Sequence, residues 1–241
     1  MIGFLMEKRS MDQLGIYLKP TEIIDSDHPE IRALAEKTAG NATDPIDKAV
    51  RLYYAVRDGI WYDPYYPFFR AAHYRASNVL QAGRGFCIPK ASLLCALARA
   101  NGIPARPGFA TVRNHLATRQ LLEFLGTDLF SFHAFVEFFL EDKWVKATPA
   151  FNKELCRRHG VAPLEFNGRE DSLFQPYNDE RRKFMEYVEF HGSFPDIPVS
   201  EILAAWEKTY GHERVASWIE SFEDFGDIRK GRFDSETIVD N

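Results

Sequence analysis

No stretch of this sequence approaches the roughly 18 consecutive apolar residues that a membrane-spanning helix needs. Residues 1–6 are apolar, but Glu7-Lys8-Arg9 follows at once, leaving them too short for the apolar region of a secretory signal. Cysteine is scarce. The three in 241 residues form an odd set without paired spacing, which argues against a disulfide framework and for a reducing compartment. Positive charge is not in surplus either. The formal net charge is −5, and basic runs are short pieces such as Arg181-Arg182-Lys183, so nucleic acid is not an expected partner. There is no acidic loop with calcium-ligand spacing, and the histidines and cysteines lack the short spacings of a zinc site. The expectation is a cytoplasmic protein that needs no cofactor or metal and does not engage a membrane; its oligomeric state is left open.

What is present is an ordinary soluble composition, 45% hydrophobic and 27% charged, with 20 Phe and 10 Tyr. Residues 29–38 and 45–58 read as helices; Asp44 before Pro45 is the cap-then-proline order of a helix start. Ile46, Val50, Tyr53, Tyr54 and Val56 fall on one face of the second, and Gly59 ends it. The aromatic segment 60–69 is punctuated by Pro64 and Pro67 and is expected to be extended. Residues 77–84 read as a linker into the clearest helix, 88–100, which has Pro89 in its first turn and Gly102 as its stop. Residues 105–112, 130–140 and 144–148 are strand-like, the last two joined by a polar turn, with an inserted helix at 116–125. Helices return near 200–210 and 213–222. The order predicts an α+β protein.

A thiol nucleophile must be partly deprotonated, and a helix N-terminus favours the thiolate. Cys87 immediately precedes the expected start of its helix. Gly83 and Gly85 leave room for a substrate to approach, and the Cys87 amide would face an oxyanion formed there. Cys95, two turns on among Leu94 and Ala96, is a core residue by the same reasoning. Cys156 has basic neighbours but no positioned base. The base must itself be oriented. His133 lies on the strand His133-Ala134-Phe135-Val136-Glu137, and the return strand brings residues near Thr148 beside it. His73 and His115 are the competitors, without a strand and an orienter behind them. Asn78 and Gln81 are candidates for a second oxyanion donor.

Four blocks in order carry a resemblance. They are Asp44-Pro45 through Val56-Arg57-Asp58-Gly59-Ile60-Trp61-Tyr62; Ser77-Asn78-Val79-Leu80-Gln81-Ala82-Gly83-Arg84-Gly85-Phe86-Cys87; Ala96 through Asn101-Gly102-Ile103-Pro104-Ala105-Arg106; and the His133 strand with Trp144-Val145-Lys146-Ala147-Thr148-Pro149. In these the sequence resembles the transglutaminase-like superfamily of papain-related thiol enzymes, its bacterial members in particular. The resemblance implies a papain-like α+β core at residues 30–152, with a mostly helical extension at 153–241, in a single domain. It implies Cys87 as nucleophile and His133 as base. The family's third residue is usually an aspartate, and this sequence has Thr148 in its place. A hydroxyl can accept from the imidazole but carries no charge to stabilise an imidazolium. Asn152, just beyond, is the other candidate orienter, since papain-like proteases use asparagine. The implied activity is acyl transfer on a peptide or isopeptide amide through a Cys thioester, with water as acceptor. Protein-glutamine transamidation is one alternative, and a catalytically weak or inactive scaffold that binds a peptide or protein partner is another.

Overall fold

The computed structural model describes residues 14–115, 117–174, 185–226 and 233–237. The N-terminal apolar piece, Leu116 and the basic piece at 181–183 lie outside them. Two helices, α1 (Pro29–Ala39) and α2 (Pro45–Gly59), each begin on a proline, behind caps His28 and Asp44 whose side chains accept from the Glu30 and Ile46 amides. The buried face of α2 is Ile46, Ala49, Leu52, Tyr53 and Val56. The aromatic segment behaves differently from its expectation. Only β1 (Trp61–Tyr62) is extended, pairing in parallel with β2 (Arg84–Gly85). The Asp63 carboxylate accepts the Tyr65 amide and turns the chain, and Tyr62, Tyr65, Tyr66 and Phe68 go into the core.

Between these short strands lie α3 (Ala71–Tyr74) and α4 (Ala76–Ala82). The expected linker at 77–84 is therefore mostly helix. Ala76, Ser77 and Val79 are buried, Asp25 accepts from both the amide and the hydroxyl of Ser77, and Gly83 stops the helix at φ 65°. The next helix, α5 (Cys87–Ala100), is buried from Cys87 through Arg99. Being enclosed all round, it is the hub of the molecule.

An antiparallel sheet wraps one side of α5. Its strands are β3 (Ala105–Asn114), β4 (Leu129–Leu140), β5 (Lys143–Ala147) and β6 (Met185–Ser193), in the order β5-β4-β3-β6. The inserted helix α6 (Arg119–Leu125) starts on the Thr118 cap and ends at Gly126 in the left-handed conformation. After β5 come α7 (Lys153–Arg158), then β6, α8 (Val199–Tyr210) and α9 (His212–Phe225). The α+β class is as the sequence predicts. β6 is not: it lies in the region read as helical. Of its residues only Met185 is buried, and Val188 and Phe190 are exposed, so the sequence lacks the alternation of a half-buried strand.

Bulges curl the sheet. In the β3–β4 pairing, Ser131 and Phe132 together oppose Thr111. In the β3–β6 pairing, β6 carries Val188 and His191 as extra residues. Each extra residue bends its strand and increases its twist. No helix among the described residues is long and apolar enough to cross a membrane.

Candidate active site

Cys87 is the first residue of α5, following the extended cap residue Phe86. It is 9% exposed, against 0% for Cys95 and 2% for Cys156, and all three are free thiols. Burial pushes the Cys87 thiol up to about 11, opposed by the nearby backbone amides of Ala134, Ile88 and Cys87, which favour the thiolate. Ala134 follows His133 directly, so β4 delivers an amide to the sulfur beside the proposed base. Four tyrosines, Tyr62, Tyr74, Tyr187 and Tyr210, lie close enough to feel a charge on that sulfur. Burial holds each of them protonated.

The glycines before Cys87 have roles of their own. Gly83 caps α4. A Cβ on Gly85 would come within 2.8 Å of the Pro89 ring, so its missing side chain makes room for the first turn of α5 rather than for a substrate.

His133 pairs with Ala110 in the interior of β4, not at its start. It is 4% exposed, and burial alone lowers its imidazole to about 3. Its ring lies 5.3 Å from Phe174 and 6.5 Å from Tyr187, centre to centre. The β4 bulge stands immediately before it. Phe132 adopts φ 55°, a left-handed conformation that a bulky side chain rarely takes. Its neighbours hold it there. The Ser131 amide donates to Tyr210 Oη at 2.9 Å, the Ser131 carbonyl accepts from Trp206 Nε1 at 3.0 Å, and the Phe132 ring stacks on His191 at 4.5 Å. Backbone groups released from the ladder are thus taken up by α8, and the direction of His133 depends on a helix far along the chain.

Thr148 follows β5 and is pinned from both sides. Its amide donates to Ser172 O at 3.0 Å, and its carbonyl accepts from Tyr53 Oη at 3.1 Å. Continuing the register of Val136 with Ala147 sets Thr148 across from Phe135, on the face of the sheet that carries His133. Its hydroxyl is turned toward that of Tyr187.

Asn152 is placed elsewhere. Its Nδ2 donates to the carbonyls of Arg57 at 2.6 Å and Ile60 at 2.7 Å, and its Oδ1 accepts from the Tyr62 amide. With its carboxamide engaged by the backbone of residues 57–62, it secures the turn from α2 into β1 instead of approaching the imidazole. Lys90, fully buried one turn into α5, donates to the same two carbonyls at 2.8 and 2.6 Å. Burial lowers its ammonium well below the usual range.

The other candidates also have partners away from Cys87. Asn78 donates to Ala72 O, and Gln81 to Glu30. His73 accepts from the Arg70 amide, and His115 faces Glu186. Sequence reasoning missed Tyr187, Tyr210 and Trp206, which lie far from the motif blocks and carry no spacing signal of their own.

A helix that presents a cysteine at its first turn, packed against a curled antiparallel sheet that presents a histidine, is the architecture of the papain-like thiol enzymes. Residues 32–149 match the model of the transglutaminase-like superfamily, and this core of the chain belongs to it. Among solved structures, a candidate cysteine protease from Cytophaga hutchinsonii is 22% identical with a TM-score of 0.43, over 55% of this chain and 40% of that one. A candidate protease from Parabacteroides distasonis is 16% identical with a TM-score of 0.37, over 49% of this chain and 23% of that one. The chain therefore spans less than half the length of either. No curated protein matches it.

Proposed function

We propose that this protein is a thiol-dependent acyl-transfer enzyme that hydrolyses an amide bond in a peptide or isopeptide, with Cys87 as nucleophile and His133 as base. The supporting observation is the setting of the Cys87 sulfur, at the first turn of α5 with three backbone amides near enough to favour its thiolate, one of them from the residue after His133.

At rest, burial favours the neutral pair, thiol and imidazole, over the ion pair. His133 therefore takes the thiol proton as the sulfur attacks. The C–S bond forms, the carbonyl π electrons move to oxygen, and the same amides stabilise the oxyanion. Collapse breaks the C–N bond as the imidazolium protonates the leaving nitrogen, leaving a thioester. Water, deprotonated by His133, then attacks the thioester. The C–S bond breaks, and the thiol recovers its proton. An amine in place of water would give transamidation.

p-Nitrophenyl acetate tests the reading. Wild-type protein should release nitrophenolate and carry an acetyl group on Cys87, seen by peptide mass spectrometry, ahead of Cys95 or Cys156. His133→Ala should slow this by about 10²-fold, the low end of general-base contributions. Equal, slow acetylation of all three cysteines would overturn it. The burial of both Cys87 and His133 in their neutral forms, with no carboxylate at Thr148, supports a second reading: a weakly active or inactive scaffold that retains peptide in the same cleft. It predicts peptide binding with little or no turnover.

A further inference from the structure

Three buried polar atoms at the site, His133 Nε2, Thr148 Oγ1 and Tyr187 Oη, have no full hydrogen-bond partner. Leaving one such atom unpaired costs ~1–3 kcal/mol, so three in one neighbourhood call for a common explanation. They are neighbours. Tyr187 Oη faces the Thr148 hydroxyl and the Phe174 backbone, and its ring lies beside the imidazole. We propose that Tyr187 is a positioning residue, its hydroxyl joining that of Thr148 to accept the Nε2 proton of His133 in place of the carboxylate this sequence lacks.

The proposal rests on His133 acting as the base. A base that starts neutral and accepts a proton on one ring nitrogen must keep a hydrogen on the other, and that hydrogen needs an acceptor. Thr148 sits diagonally across from His133, a separation of about 7–8 Å between backbones, and its hydroxyl oxygen stands one bond nearer its own backbone than an aspartate oxygen would. Tyr187 supplies the missing reach from the opposite edge of the sheet. β6 is three strands away from β5 in the sheet order, so only the curl produced by the bulges brings the two hydroxyls together. The ring is fixed by stacking on Phe190, 5.3 Å away and within 2° of parallel. Tyr187 also lies outside the segment that matches the superfamily model.

Acetylation of Cys87 by p-nitrophenyl acetate, followed across pH, tests this with four proteins: wild type, Tyr187→Phe, Thr148→Asp and the double variant. Tyr187→Phe keeps the ring and removes the hydroxyl. It should slow acetylation about fivefold, the size of one net hydrogen bond, and displace the pH profile. Thr148→Asp supplies a carboxylate, so in that background Tyr187→Phe should have no effect. An unchanged rate and profile in Tyr187→Phe, while His133→Ala still slows acetylation about 10²-fold, overturns the role of Tyr187 and leaves the enzyme reading intact. An equal loss from Tyr187→Phe in both backgrounds marks a structural role and also overturns it. If His133→Ala is silent, both readings fail. Ring-nitrogen NMR of the wild type gives a check independent of any variant: His133 should carry its proton on Nε2, and a bare Nε2 overturns the proposal.

Discussion

The Tyr62 amide donates to the Asn152 carboxamide oxygen at 2.7 Å, so an asparagine that the sequence offers as a partner for the imidazole instead fastens the strand beside Cys87. Its two amide hydrogens close the end of α2 on carbonyls that it shares with the buried Lys90. The pair joins α2, β1 and α5 at the level of Cys87.

Asn152→Ala should therefore act on stability first. It strips a partner from the Tyr62 amide and leaves Lys90 alone on two carbonyls, for a loss of ~1–3 kcal/mol in a urea titration. Asn152→Asp should not rescue it, because a carboxylate cannot donate to those carbonyls.

The reaction of Cys87 with iodoacetamide should rise steeply with pH through 9 and beyond, with no plateau near neutrality, because burial holds its thiol near 11. Thr148→Asp would place a carboxylate near His133 and favour the imidazolium. Labelling of Cys87 at pH 7 should then increase about tenfold, the effect of roughly one pKa unit. Peptide mass spectrometry separates it from Cys95 and Cys156.

Acid should destabilise the fold through His133. The folded imidazole stays neutral down to about pH 3, whereas an unfolded histidine takes up its proton near 6.5. Between those values the unfolded state binds more protons, so stability present above pH 6.5 is lost as the pH falls toward 3. His73, lowered by burial to about 4, works in the same direction. His133→Gln should flatten the acid limb of a stability–pH curve measured by urea unfolding. An acid limb unchanged from wild type would contradict the burial of a neutral imidazole.

Tyr210→Phe removes the hydroxyl that receives the Ser131 amide at the β4 bulge. The expected result is a stability loss of ~1 kcal/mol together with a severalfold slower acetylation of Cys87, since the bulge directs His133. Acetylation at the wild-type rate would mean that Trp206 alone holds the bulge.

Gly108→Ala should be strongly destabilising although the residue is far from any motif. A Cβ there would lie 2.3 Å from the Phe135 ring, inside the sheet that carries His133. Overpacking of this kind costs ~1–3 kcal/mol, readable as a lower melting temperature.

Local chemistry explains which parts of the fold were legible. Proline after a cap announced α2, Pro89 and Gly102 bracketed α5, and the apolar run from Phe130 to Leu140 marked β4. The α4 helix escaped notice because glycines and polar residues around Ser77 resemble a loop until Asp25 is in place to receive its amide and hydroxyl. β6 escaped because an edge strand with exposed Val188 and Phe190 has no period to read.

The sequence by itself determined that a cysteine would stand at a helix start, that a histidine would lie on a strand, and that no carboxylate would follow at Thr148. These are local features, set by caps, periodicity and residue identity. Only the tertiary structure decided which groups surround them. Bulges in β4 and β6 curl the sheet until Tyr187 meets Thr148, α8 grips Ser131 ahead of His133, and burial drives the Cys87 thiol and the His133 imidazole toward neutrality. Desolvation and sheet curvature arise from packing residues far apart in the chain, and no window of sequence contains them.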